Sequence, residues 1–430
     1  MGRKSIHARS SAVGYLRPVS TPRTASVVGG GPAGLIAAEV LARAGVAVTV
    51  YDRMPSPARK FLLAGHGGLN LTHTEDRDGF LARYGDAAGR LAPMLDVFGP
   101  ADLRDWCAGL GEQTFVGSSG RVFPRSFRAT PLVRAWLARL ADLGVRIERR
   151  SRWTGWTDDG LLLTGVDRQE SEVLSDVTVF ALGGASWPRL GSDGGWVGPF
   201  TDRGVTVSPL RPANVGMRVD WSSTFVDRFE GTPLKHVALS VQGRPGVQGD
   251  AMVTRAGIEG GPVYAIGAAA RDAIDADGRC VLQVDLRPAL TVDQLTERLQ
   301  RRRPKDSTSN WLRRTLGLDP VGIALLREAG AGALPTDPRA MAALVKDVSL
   351  VAVATMPIDK AISTAGGIAW SEVDDALTLR RLPGTFVAGE MLDWEAPTGG
   401  YLLQASFSTG VAAAQGAIAW LSRPTDPETA

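Results

Sequence analysis

Cysteine is nearly absent. Cys107 and Cys280 are the only two in 430 residues, and they lie far apart. That excludes a disulfide scaffold, a Cys-x-x-Cys redox pair and a thiolate metal site. Histidine is almost as scarce, and His7, His66, His73 and His236 form no metal spacing such as His-Glu-x-x-His. No apolar run approaches the length that crosses a bilayer, so no transmembrane helix is expected. Acidic residues are missing from one place in particular: residues 1–23 hold Arg3, Lys4, Arg9, Arg17 and Arg23 but no Asp or Glu. The formal net charge of +3 originates there, and the rest of the chain is slightly acidic. A basic balance of that origin says little about nucleic acid. The same segment lacks the apolar core and cleavage pattern of a secretory signal. Residues 1–23 are therefore read as a disordered basic tail, and the expected location is cytoplasmic.

What is present is ordinary for a folded chain, 44% hydrophobic and 22% charged, and long enough for two or three sub-domains. The 51 glycines cluster, which points to close backbone approaches. Ala25–Val28 reads as a short buried parallel strand. Glycines follow, then a helical pattern from Leu35 to Ala44 closed by Gly45, then a second strand over residues 46–51 that ends at Asp52. This is one βαβ unit. Residues 54–71 read as irregular. Helical patterning covers Asp102–Leu110, and Thr130-Pro131 looks like the cap and first residue of a helix running through Leu143. Residues 145–148 and 176–182 read as strands, the second ending in Gly183-Gly184. Near Pro209–Pro212 the character changes to short alternating segments up to about Leu286, an antiparallel β region. Residues 291–346 are helical in pattern, and 348–355 and 386–390 are strand-like. Gly399-Gly400-Tyr401 opens a long Ala-rich helix to about Leu421.

The glycines of the first turn carry chemistry. Gly29-x-Gly31-x-x-Gly34 sits between strand and helix, in the run Gly29, Gly30, Gly31, Pro32, Ala33, Gly34. The first glycine permits the tight turn, the second lets a diphosphate reach the backbone, and the third lets helix pack on strand. Free N–H groups at the helix start favour the anion. Asp52, with Arg53 beside it, ends the second strand, placed to accept hydrogen bonds from a ribose diol. A dinucleotide is the expected ligand. Only one such fingerprint occurs, and no redox cysteine pair, so the disulfide-reductase arrangement is excluded. The distant segments Val387-Ala388-Gly389-Glu390 and Gly399-Gly400-Tyr401 select FAD over NAD: a strand end with a carboxylate suits a ribityl chain. A second helix N-terminus would stabilise negative charge on a reduced flavin.

These stretches resemble the YhiN/BaiN-like flavoproteins, also labelled aminoacetone-oxidase-like FAD-binding enzymes. The resembling segments are VVGGGPAGL (27–35), RKFLLAGHGGLNLTH (59–73), GRVFP (120–124), STAGGI (363–368) and FVAGEMLDWEAPTGGYLLQASFSTG (386–410). The resemblance implies an α/β chain with a Rossmann-type FAD-binding domain, interrupted by a β-barrel-like insert that carries a small helical sub-domain. With the composition changes, it divides the chain into 24–208, an insert at 209–355 (β-rich over 209–290, helical over 291–346), and 356–430. It also places Arg59, Lys60, Gly65, Gly183, Gly184, Gly389, Glu390, Gly399, Gly400 and Tyr401 against FAD. Relatives with an Arg-Cys-Asn segment have a thiol where this chain has Leu69, so a thiol acid does not carry over. The chain resembles the divergent subgroup with an AG-x-GGLN segment.

His66, in that segment, and Tyr401 are the candidate catalytic groups, one as proton carrier and the other as donor to a substrate carbonyl. Arg121 and Arg125 are candidates for a substrate anion, and Trp394 and Glu395 for a pocket wall and a base. The expected activity is hydride exchange between FAD and a small organic molecule, with NAD(P)H as a transient donor. The resemblance implies reduction of an activated C=C bond or amine oxidation. Two other readings remain open: flavin-dependent reduction of uridine in RNA, with Arg301, Arg302 and Arg303 beside Trp311 as the basic patch, and a non-catalytic FAD protein. That patch is read first as a solvated helix face.

Overall fold

The computed structural model describes residues 22–330 and 333–423, with the side chain of His66 outside that set. The tail expected over 1–23 lies, except for its last two residues, outside the described residues.

A five-stranded parallel sheet forms the first layer. Its central strand, β1 (Thr24–Val28), pairs on one side with β2 (Ala47–Asp52) and on the other with Val177–Phe180. Beyond these lie Arg146–Arg149 and Thr385–Val387. Val27 and Val28 are fully buried, as a β-branched run covered on both faces should be. Helix α1 (Pro32–Arg43) crosses from β1 to β2. It packs against the long helix Tyr401–Leu421, which approaches so closely that a Cβ on Gly410 would lie 2.4 Å from the Ala33 carbonyl oxygen. The sheet order departs in opposite directions from β1, so the crevice at its carboxyl end is where a doubly wound fold holds a ligand.

Strands Val207–Ala213 and Ser363–Ile368 pair antiparallel and carry the chain out to a second body and back. The sequence boundary at 208/209 falls inside the first of these strands. The second body is a closed six-stranded barrel whose strands all lie between Met217 and Thr355. Four helices between Val292 and Lys346 pack into the barrel's own core, with Trp311 and Leu326 fully buried.

Several local expectations need correction. Residues 59–64 form a helix, α2 (Arg59–Ala64), followed by a 3-10 turn at Gly65–Gly67, inside a stretch read as irregular. Six residues are too few to display a helical period. The helix expected to start at Thr130-Pro131 starts at Ala129, with Arg128 as its cap, and Pro131 fits in the first turn because N–H groups there need no partner. A three-stranded meander between Arg152 and Val173 had no reading in the sequence.

Candidate functional site

The glycine loop sorts its residues by geometry. Gly29 has φ +112°, and a Cβ there would lie 2.2 Å from the Ala181 carbonyl oxygen. A Cβ on Gly34 would lie 1.9 Å from the Gly29 carbonyl oxygen, which is how helix and strand come to pack so closely. Gly31 differs: its backbone is extended, it caps α1, and a Cβ there would meet nothing within 4 Å. That space belongs to an open cleft of ≈ 1080 Å³ at the carboxyl end of the sheet. No side chain caps α1 and no acidic residue occupies its first turn, so its free N–H groups are left for an anion.

Asp52 lines the cleft, but both of its oxygens already accept backbone N–H groups, from Gly30 at 3.0 Å and Met54 at 2.7 Å. Burial pushes its carboxyl up from the usual range, against those two hydrogen bonds. Its first job is to fix the glycine loop, and a ribose diol would reach only its remaining lone pairs. Three polar atoms of the cleft are buried without a partner among the described residues: Arg53 Nε, Arg59 Nε and Ser192 Oγ. Buried polar groups are normally satisfied. An open cleft with a free helix start, an uncrowded Gly31 and three orphaned donors fits FAD.

Lys60 and Glu390 close one end of the cleft. Lys60 Nζ donates to Glu390 Oε2 at 2.7 Å and to Ser186 Oγ at 2.8 Å. Glu390 Oε1 accepts the Thr364 N–H at 2.9 Å, and Oε2 accepts the Gly184 N–H at 3.3 Å. On the far side of Lys60 lies a second cavity of ≈ 910 Å³, lined largely by apolar side chains such as Leu63, Trp187, Ile362, Leu402 and Leu403. Trp187 sits there with φ +63°, a left-handed conformation rare for a bulky residue and characteristic of functional loops. Gly399 and Gly400 line this cavity rather than the first cleft, so the start of the helix Tyr401–Leu421 opens here. Asn70 lines it as well, with Oδ1 buried and without a partner among the described residues.

The loop before Gly399 is clamped from outside the sheet domain. Asn214 Nδ2 donates to the Ala396 carbonyl at 2.8 Å, and Asn214 Oδ1 accepts the Thr398 N–H at 3.0 Å. Glu395, expected as a possible base, is instead held by both guanidinium ends of buried Arg271, at 2.6 and 3.0 Å. Trp394 is buried with its indole N–H on the Gly389 carbonyl, so it braces the loop rather than walling the cavity.

Tyr401 also departs from expectation. It is 4% exposed, its hydroxyl donates to Glu75 Oε2 at 2.6 Å, and it lines neither space. Arg83 holds the Glu75 carboxyl down at about 2, with the Tyr401 hydroxyl assisting, while burial and Glu75 push the Tyr401 phenol up. Tyr401 is thus a brace, because its proton is committed to a carboxylate inside the fold. With the folded carboxyl at about 2 against an ordinary 4.5, the cluster's contribution is full above 4.5 and fades as pH falls toward 2. Tyr401→Phe is expected to cost about 1 kcal/mol, reduce the stability lost between neutral and acid pH, and leave flavin reduction within about twofold of wild type. Urea titrations across a pH series and stopped-flow reduction check it.

Of the remaining candidates, the His66 side chain lies outside the described residues. Gly65 and Gly184 serve packing, since a Cβ would lie 2.7 Å from the Ala129 Cβ and 2.2 Å from Thr364 Oγ1 respectively. Gly183 and Gly389 line the cleft, both with positive φ. Arg121 and Arg125 are exposed and line neither space. In the Arg301–Arg303 segment, Trp311 is core, Arg302 lies over its ring, and Arg301 pairs with Glu297, so no aromatic face is offered to a base. Sequence reasoning missed Ser192, Trp187, Asn214 and Arg271. The first two lie in GGASWPRLGSDGG (183–195), where five glycines in thirteen residues marked a loop built for close approach.

A switch-point crevice with a glycine-rich helix start, joined to an apolar chamber, defines a flavin-dependent oxidoreductase. The chain belongs to the family described as HI0933-like protein Rossmann domain, whose model matches residues 23–416, and is an FAD-dependent enzyme of that family. It is 26% identical over 410 residues to the 3-dehydro-bile acid delta(4,6)-reductase of Clostridium scindens, covering 91% of this chain and 98% of that one. Among solved structures it is similar to the open conformation of a flavocytochrome c3 fumarate reductase, with a TM-score of 0.52 and 14% identity over 94% of this chain and 79% of that one. It is also similar to 3-ketosteroid delta1-dehydrogenase from Sterolibacterium denitrificans in complex with 1,4-androstadiene-3,17-dione. There the TM-score is 0.50 at 14% identity, over 92% of this chain and 100% of that one. At such identity the likeness is one of fold. No helix among the described residues is long and apolar enough to cross a membrane.

Proposed function

We propose that the enzyme exchanges a hydride with a small, largely apolar organic substrate, and that a reduced nicotinamide nucleotide, docking transiently, is its electron donor. The carrying observation is the second cavity, which meets the cofactor cleft at Lys60 and is lined mainly by apolar side chains. Ligand sites favour such concave apolar spaces with a few polar groups. Arg53, Arg59, Ser192 and the α1 start would hold the dinucleotide, with Glu390 lining the same cleft. FAD, when bound, supplies the two-electron step by giving or taking a hydride. The chain's own residues do the rest: Trp187, Leu402 and Leu403 exclude water and orient a flat ligand, and Lys60 and Asn70 fix its polar end. The bile acid reductase supports an unsaturated carbonyl substrate by likeness, since its name specifies reduction of a conjugated ring system.

The test is an anaerobic titration of the purified holoenzyme with NADPH, then NADH, following the visible flavin band. Bleaching at stoichiometric addition is the expected result. A band that persists with both but bleaches with dithionite rules out the nicotinamide donor. A protein that binds no flavin, even with added FAD, overturns the reading.

A further inference from the structure

We infer that Lys60 is a catalytic residue: its ammonium supplies the positive charge met by the acceptor oxygen of a carbonyl substrate in the second cavity. The inference rests on the reading of that cavity as the substrate chamber. It begins with how Lys60 is placed. Ala58 takes a left-handed conformation, φ 59°, and its N–H donates to the Gly30 carbonyl at 2.8 Å, so α2 starts where the cofactor loop dictates. Arg59 then lines only the cofactor cleft, whereas Lys60 lines both spaces.

Its surroundings set its chemistry. Among the described side chains that line the second cavity, Lys60 is the only charged one. An ammonium has three N–H donors. Two of them go to Glu390 and Ser186, and the third has no protein acceptor among the described residues. The two bonds hold the charge in place before a ligand arrives, so little reorganisation is needed on binding. In apolar surroundings a charge-assisted hydrogen bond is stronger than in water. The start of the helix Tyr401–Leu421, at Gly400, adds partial positive charge on the same cavity.

This arrangement suits a carbonyl conjugated to the reacting carbon. As a C–H bond forms between the hydride and the far carbon of a C=C–C=O unit, the C=C π bond breaks and negative charge collects on the oxygen; a solvent proton taken up at the adjacent carbon then completes the reduction. Lys60 stabilises that charge through its third N–H, and no bond to Lys60 forms or breaks. In the reverse direction the same contact stabilises the enolate from which hydride leaves. A purely structural Lys60, tying α2 to the Gly183–Ser186 segment, would have no reason to open on the second cavity, where Asn70 and Thr398 are the other polar side chains.

The experiment titrates oxidised holoenzyme with 4-chlorophenolate, whose phenolate ring donates into oxidised flavin to give a long-wavelength charge-transfer band when it stacks there and whose oxygen mimics the developing anion. Wild type should give a saturable band. Lys60→Met should keep its flavin and bind the phenolate at least about tenfold more weakly, and Lys60→Arg should recover most of the affinity. Lys60→Gln serves in the same comparison if the Met variant does not fold. Equal affinity in wild type and the neutral variant overturns the role of Lys60 while leaving the chamber intact. Absence of a band in wild type, whose flavin is otherwise reducible, overturns the chamber itself and the inference with it. Neutral variants that lose FAD beside a yellow Lys60→Arg would make Lys60 a cofactor anchor, which also overturns the proposal.

Discussion

Gly31→Glu is expected to give a folded, colourless protein. A Cβ at this position meets nothing within 4 Å and the backbone is extended, so the fold has no objection to a side chain there. The cofactor does: the new carboxylate enters the space beside the α1 start, where a diphosphate would lie. Two like charges about 4 Å apart at an effective dielectric of about 20 repel by about 4 kcal/mol, about a thousandfold in affinity. Gly34→Ala should do the reverse. Its Cβ would lie 1.9 Å from the Gly29 carbonyl oxygen, and a Cβ has no rotamer to escape into. Separation of α1 from β1 should cost about 3 kcal/mol of stability before any cofactor is considered. Flavin absorbance after gel filtration, read beside far-UV circular dichroism and urea midpoints, separates the two. A yellow, stoichiometric Gly31→Glu protein would refute the cofactor assignment.

Glu39→Ala should be the most destabilising single change on α1. The carboxylate is 2% exposed and accepts from Trp136 Nε1 at 2.8 Å, Trp106 Nε1 at 3.0 Å, Arg43 Nη2 at 2.8 Å and Arg139 Nη1 at 3.2 Å. Deleting it strands the indole N–H of a fully buried Trp136 and leaves Arg139 beside a void. Loss of one partner from such a buried network costs about 3–5 kcal/mol. Glu39→Gln keeps acceptor oxygen but not the charge, and should fall between the two. Urea midpoints at unchanged slope measure the difference. Added FAD should raise both variants by mass action, because none of the network's residues lines the cleft.

The contrast between these two positions shows what could be read in advance. The glycine loop was legible because its requirements are local: turn, anion and helix contact are met within eleven residues of β1 and α1. The β-rich insert and its helices were legible as a change of pattern, since each strand carries its own alternation; that the strands close into a barrel was implied by the resemblance alone. Tyr401 and Glu395 were misjudged for the opposite reason. Glu75 and Arg271, which occupy them, lie in distant parts of the chain, and nothing near either residue announces its partner. Trp187 matters through a left-handed backbone that only the assembled fold requires, and Asn214 through side-chain bonds to a loop far along the chain. The basic patch illustrates the same limit, because Trp311 beside three arginines looks like a surface motif until its burial is known.

The strand order has a consequence for how the protein is made. Thr385–Val387 completes the parallel sheet beside Val177–Phe180, and the helix Tyr401–Leu421 closes over α1 only afterwards. A ribosome emits the chain from its N-terminal side and keeps the newest segment hidden in the exit tunnel. The barrel strands, contiguous between Met217 and Thr355, can pair during translation. The nucleotide crevice cannot, since Gly389 and Glu390 emerge late, on a strand that must still find Val177–Phe180. Until then the nascent β1–α1 unit exposes Val27, Leu35 and Ile36, which are buried in the finished fold. The interval between emergence and closure is therefore the stage at which a chaperone would engage this chain, and a shortage of riboflavin in the growth medium should lengthen it.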